Sequence, residues 1–159
     1  MLVESAIGNI HDPAESSAPA TIDWLDLTWL ECRKRFARKQ TRTGREVRIL
    51  LRLGQTLKHG DILGRLPDDT IVAVNVLPAD VLLIRCATPA AAIAAAFQIG
   101  NLHLPIEVES GNLIVVAHPE VEAMLDKFKI AFERQSRRFQ PTHWPDLVQL
   151  SQTFRVIRA

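Results

Sequence analysis

At 159 residues the chain can form one ordinary domain or two small ones sharing a short linker. Lys plus Arg total 19 against 18 Asp plus Glu, so the formal net charge of +1 provides no global pull toward nucleic acid or anionic lipid, and a 47% hydrophobic content can supply a core. Cys32 and Cys86 form neither a CxxC pair nor a disulfide framework and are read as reduced thiols. With no basic and apolar signal segment at the N-terminus and no apolar run near the ~18 residues of a membrane span, this describes a cytoplasmic chain without a membrane partner.

Residues 1–21 hold Gly8, Asn9, Asp12, Pro13, Ser16, Ser17 and Pro19 with little apolar periodicity, the composition of a flexible leader. Leu25, Leu27 and Trp29 then alternate with Asp26 and Thr28, while Val47, Ile49 and Leu51 alternate with Arg48 and Leu50, as half-buried strands do. Further strands are expected at 61–63 and 70–76. Gly54, Gly60, Gly64 and the Pro67-Asp68-Asp69 turn separate them, so residues 22–76 read as a small all-β domain.

The rhythm changes after Pro78. Residues 80–86 form an apolar strand, and Thr88-Pro89 supplies a capping residue with proline at the first helical position of an alanine-rich helix. That helix should end at Gly100, with Gly100 in a left-handed cap and Asn101 tolerating similar geometry. Strands at 104–109 and 113–117 flank the turn Ser110-Gly111-Asn112. Pro119 opens a second helix, whose Val121, Met124, Leu125 and Phe128 make one apolar stripe, and 129–133 gives a last strand. The order β-α-β-β-α-β over residues 77–135 is that of a ferredoxin-like sandwich, which makes the whole an α+β chain. Residues 136–159 look like a loosely held tail with a short helix at 146–154.

Among candidate ligands, His103 lies in Gly100-Asn101-Leu102-His103-Leu104-Pro105 at the entry to a strand. A neutral imidazole there can bind Ni, Zn or Cu, but one histidine per chain is too few unless symmetry or the tail supplies more. A structural or simply exposed histidine is the competing reading. His118 before Pro119 suits either a helix cap or an auxiliary ligand, and His143 beside Trp144 either a mobile ligand or no role. His11 and His59 read as ordinary loop residues. The basic segment 33–45, with Arg33, Lys34, Arg35 and Arg38 around Phe36, can grip phosphates or, as a solvated hairpin loop, contact an acidic protein surface. No GxSxG elbow, P-loop, GxGxxG or HExxH is present, so an enzyme reading has no anchor.

Over residues 22–143 the chain resembles the UreE family of urease accessory proteins, the nickel metallochaperones of urease assembly. The resemblance is carried by Leu27 with Glu31-Cys32-Arg33-Lys34-Arg35, Thr43-Gly44-Arg45-Glu46, Leu57 with Gly60-Asp61-Ile62-Leu63, Gly100-Asn101-Leu102-His103-Leu104-Pro105, Met124-Leu125, and Phe139-Gln140-Pro141. It implies a partner-binding N-terminal domain similar to the peptide-binding domain of Hsp40-type chaperones, followed by a ferredoxin-like metal-binding domain. It also implies a homodimer in which His103 meets its symmetry mate over one Ni(II), with Zn(II) the other candidate ion and His143, then His118, as auxiliary ligands. Urease apoprotein and the accessory GTPase complex are the implied partners, with Arg33, Lys34, Arg35 and Arg38 as partner contacts. Leu102 departs from the arginine common in the family, and no histidine follows His143, so the histidine-rich tail of many members is absent. The alternative from another class is a nucleic-acid or ribosome-associated module using residues 33–45.

Overall fold

The computed structural model describes residues 1–13 and 21–142. The chain divides into two compact units, Met1–Pro78 and Ala79–Ala159.

In the first unit, β1 (Leu2–Val3), β4 (Phe36–Gln40) and β5 (Glu46–Leu50) form a sheet in the order β1-β5-β4. A second sheet runs β2-β6-β7-β3, from β2 (Gly8–Asn9), β3 (Thr21–Leu27), β6 (Asp61–Arg65) and β7 (Thr70–Val76). Alternation sends Leu25, Leu27, Val47, Ile49, Val72 and Val74 from the two sheets into one buried cluster. Full burial of such side chains contributes roughly 1.5–3 kcal/mol each. Ile62, Ile71 and Ala73 form a second cluster with Ile10, Ile22 and Trp24.

The start of the expected leader is ordered. Leu2 and Val3 pair in parallel with Arg48 and Ile49, Val3 is buried, and Gly8 and Asn9 pair antiparallel with Ile62 and Asp61. Two-residue strands leave no periodicity to read, which is why composition alone suggested flexibility. Their dock explains the Gly60-Asp61 landmark. Gly60 sits at φ 82°, where a Cβ would come within 2.7 Å of Asn9 Oδ1, and the Asp61 carboxylate accepts from Lys58 N (2.7 Å) and Asn9 Nδ2 (3.0 Å).

Residues 36–40, read from the sequence as part of a solvated loop, are a strand antiparallel to β5, with Phe36 opposite Leu50 and Arg38 opposite Arg48. Its pattern of long cations hid the alternation, because their aliphatic stems take the place of apolar residues. The β4–β5 turn is fixed by Asp23. Its buried carboxylate accepts from Thr43 Oγ1 (2.6 Å) and Thr43 N (3.2 Å), while Gly44 takes φ 88°. Burial alone would raise the Asp23 carboxyl, but the hydroxyls of Thr43 and Thr41, the Thr43 amide and the Arg45 charge together hold it below its ordinary value.

The second unit is the expected ferredoxin-like arrangement: β8 (Pro78–Ile84), α1 (Pro89–Asn101), β9 (Ile106–Glu109), β10 (Asn112–Val116), α2 (Pro119–Phe128) and β11 (Phe132–Arg138), in the sheet order β11-β8-β10-β9. Leu82, Ile84, Leu113 and Val115 from the sheet meet Ala95, Ile99, Val121 and Leu125 from the helices in one core. Thr88 caps α1 by accepting from Ala91 N at 3.2 Å. The last strand runs beyond the expected 129–133, through Arg138, and Phe139 after it is fully buried. Its sequence FERQSRR hides a strand because ion pairs, Arg134 with Glu122 (2.8 Å) and Arg137 with Glu109 (2.9 Å), replace apolar alternation. Residues beyond 142, including His143 and the helix expected at 146–154, lie outside the described residues.

Candidate metal centre

His103 follows α1 in a position that normally belongs to glycine. The helix runs on through Gly100 and Asn101 rather than ending there, and His103 itself takes the left-handed conformation at φ 57°. His103 N donates to Gly100 O (2.9 Å) and Leu104 N reaches Ile99 O (3.4 Å), the paired bonds of a Schellman motif. Leu104 packs on the same core as Ile99 and completes the motif's hydrophobic contact. A Cβ in this conformation costs on the order of 1 kcal/mol, so a histidine here is retained against local stability. Its side chain is exposed, and no described residue hydrogen-bonds or ion-pairs with it.

His118 caps α2: at φ −144° its Nδ1 accepts from Glu120 N at 3.3 Å, which leaves Nε2 as the nitrogen open to a ligand. The sheet brings the two histidines to one end. β9 and β10 are antiparallel with Ile106 opposite Val115, and His103 and His118 each lie three residues beyond that pair in the same direction. The chain after β11 returns to the same strand. Gln140 N donates to Glu107 Oε2 (2.7 Å), Thr142 N to Ile106 O (2.8 Å), and Val108 N to Thr142 Oγ1 (3.0 Å). Burial raises the Glu107 carboxyl against the opposing pull of the Gln140 amide and Arg137.

The remaining candidates serve packing. His59 stacks on Trp24 (5.9 Å between centroids) and on His11 (5.6 Å). Cys32 is buried and its thiol is pushed up to about 12, by desolvation first and then by Asp61 and Glu31, so it supplies no thiolate near neutral pH. Among the described residues no group of three or more His, Cys, Asp or Glu is arranged to hold a metal ion.

Much of the basic segment is already neutralised. Arg38 pairs with Glu46, Lys39 with Glu31 (2.6 Å), Arg42 with Asp26 (2.8 Å) and Arg45 approaches Asp23 (4.0 Å). Arg33 and Lys34 stay exposed at a 3-10 turn, and Arg35 donates to Leu51 O and lies 5.2 Å over the Phe36 ring.

One feature escaped sequence reading. On α1 the exposed residues Ile93 and Phe97, at 70% and 64% exposure, share a face with Ala90 and Ala94, and neither the first nor the last turn carries a charge. The spacing of Ile93 and Phe97 on an uncharged helix was the available signal.

Residues 3–77 match the family model "UreE urease accessory protein, N-terminal domain", and residues 79–149 match its C-terminal counterpart. The chain belongs to the UreE family of urease accessory proteins. The family's two domains meet at Pro78, where the structure also divides. Among curated relatives, the UreE of Halalkalibacterium halodurans is 36% identical over 88% of this chain and 91% of its own length. The UreE of Geobacillus kaustophilus is 34% identical over 87% and 91%. The UreE of Helicobacter pylori reaches 38% over 65% of this chain and 60% of its own. No helix among the described residues is long and apolar enough to cross a membrane.

Proposed function

We propose that this UreE chain is a cytoplasmic, non-catalytic carrier that binds Ni(II), with Zn(II) competing for the same imidazoles, and delivers nickel during urease assembly. The observation that carries the reading is His103. It is an exposed imidazole with no described partner, held at a left-handed helix terminus where glycine would be locally better. Metal binding is a function that repays such strain, and imidazole suits Ni(II) and Zn(II) alike.

One imidazole does not make a carrier site. The uncharged face of α1 leading to His103 supports a two-fold dimer in which Ile93 and Phe97 meet their symmetry mates and His103 recurs across the axis. His118 Nε2 is the nearest auxiliary by strand register. Thr142 bonds to β9, the strand that His103 precedes; His143 is the next residue in the sequence and lies outside the described residues. A few imidazoles at an accessible interface release an ion by ligand exchange more readily than a closed thiolate cage. Urease apoprotein and the accessory GTPase complex dock through the N-terminal domain, with Arg33, Lys34, Arg35 and Arg38 as contacts. No observation favours the nucleic-acid reading of 33–45, since four of its cations already face carboxylates.

Equilibrium dialysis of the protein and of His103→Ala against Ni(II) and Zn(II), with mass measured in parallel, tests this reading. One tight ion per two chains, lost in the variant with fold and dimer intact, is expected. Unchanged affinity in the variant, or one ion per monomeric chain, overturns it.

A further inference from the structure

The outer face of the β1-β5-β4 sheet has a pattern with a definite complement. The β4–β5 register pairs Phe36 with Leu50, Arg38 with Arg48 and Gln40 with Glu46, and a last cross-link, Leu51 N to Arg35 O, leaves Lys34 and Arg52 flanking the paired strands. These even-numbered positions share the outward face. Phe36 is 63% exposed and Leu50 37% exposed, an apolar step beside the Arg38/Arg48 row, with the exposed Lys34 and Arg52 just beyond the paired strands. Among the paired outward positions of β4 and β5 the carboxylate is Glu46, and it is engaged by both Arg38 and Arg48, so these two strands keep an excess of positive charge.

Beside this face lies an open strand edge. Leu51 N donates to Arg35 O and Thr41 N to Arg45 O, so the odd-numbered residues of β4 spend their backbone groups on β5. The N–H and C=O of Phe36, Arg38 and Gln40 therefore point away from β5, and no further strand pairs with β4 among the described residues. An edge that also exposes an aromatic ring, between Lys34 and an Arg38/Arg48 pair that shares the single carboxylate of Glu46, is a template for another extended chain.

We propose that β4 accepts, by strand addition, an extended segment of a partner protein with an acidic residue, an apolar residue and a second acidic residue at alternate positions. The acidic residues would face Lys34 and Arg38, and the apolar residue would cover Phe36, as cross-strand neighbours require. The proposal deepens the assignment of Arg33, Lys34, Arg35 and Arg38 as partner contacts and rests on it, adding backbone pairing, a register and a sequence rule.

The test titrates the full-length protein with the synthetic peptide acetyl-Thr-Glu-Thr-Leu-Thr-Glu-Thr-amide, followed by amide NMR. Saturable binding is expected, with the largest shifts at Phe36, Arg38 and Gln40 and slowed exchange of those amides. N-methylation of the peptide at the alternate positions on one edge should weaken binding at least tenfold, while methylation on the other edge leaves it unchanged. Phe36→Ser, an exposed change whose fold is checked by thermal melting, should weaken it similarly. Insensitivity to both methylated sets overturns strand addition, yet leaves the cation assignment standing if Lys34→Glu still weakens binding. No binding to the wild-type protein, shifts confined to other strands, or preference for a single-stranded oligonucleotide over the peptide each overturn the proposal.

Discussion

The two helices of the C-terminal domain begin and end alike but face different surroundings. Each has a side-chain cap followed by proline, Thr88-Pro89 for α1 and His118-Pro119 for α2. Each also closes in a Schellman motif with a non-glycine residue in the left-handed position: His103 after α1, and Lys129 (φ 54°) after α2, where Ile130 N reaches Leu125 O at 2.9 Å. Along α2 the solvent face carries Glu120, Glu122, Asp126 and Lys127, with the exposed Phe128 at the last turn under the Lys127 ammonium, and Glu122 pairs with Arg134. Along α1 it carries Ile93 and Phe97. Lys129 sits where a cation favours the helix dipole, so its charge gives some return for the backbone strain. His103 has no such local return. One backbone motif thus serves local stability on one helix and, in our reading, a shared metal site on the other.

The largest expected effect is on metal binding. Because a symmetric site loses two copies of each mutated residue, His103→Ala should weaken the tightest Ni(II) site by about 1,000-fold or more, beyond the 10- to 100-fold typical of losing a supporting residue. Lys129→Ala, at the matching position of the other helix, should leave it unchanged. Titration calorimetry on both variants checks the pair, and an equal loss in both would dissolve the contrast between the helices.

Next comes the dimer. Phe97→Glu places a carboxylate on each side of the proposed two-fold interface and should raise the dissociation constant by about 700-fold, at roughly 2 kcal/mol for each of the two copies of a central aromatic. Lys127→Glu on the charged face of α2 should not. Sedimentation at several concentrations measures both, and dimers of unchanged strength in Phe97→Glu would move the interface off α1. His143→Ala, smaller again, should weaken Ni(II) binding by about 1 to 2 kcal/mol, since a ligand that must be ordered contributes less than a fixed one. Identical affinity would make His143 a bystander.

These contrasts separate what could be read from the sequence from what could not. The strand-helix order of the second domain was legible because Thr88-Pro89, Pro119 and the Val121-Met124-Leu125 stripe are local signals, each acting within one or two turns of chain; Phe128, expected on the same stripe, is 54% exposed instead. The docked N-terminal strands and the extension of β11 were not, because their stability comes from distant partners: Arg48 and Asp61 for the first, Glu109 and Glu122 for the second. His103 was legible as a candidate but its conformation was misplaced. Glycine at position 100 suggested the left-handed residue, yet the hydrophobic contact of Leu104 with the core selects the register of the motif and puts His103 there.

The smallest effect is the most discriminating. His103→Gly and Lys129→Gly remove a Cβ from the same left-handed position of the same motif, so the relief of strain in the folded state should be alike. Glycine also gives the unfolded chain more freedom, which offsets part of that relief and leaves a net gain of roughly 0.5 to 1 kcal/mol. For Lys129→Gly the loss of a charge at the helix terminus subtracts a further 0.3 kcal/mol or so. His103→Gly should therefore be the more stabilised of the two without metal, by a few tenths of a kcal/mol, while losing the tight Ni(II) site. Chemical denaturation of both variants with and without Ni(II) measures the two quantities together. A His103→Gly protein less stable than the parent in the absence of metal would mean that the histidine is held by packing, and the argument from backbone strain to metal binding would fail.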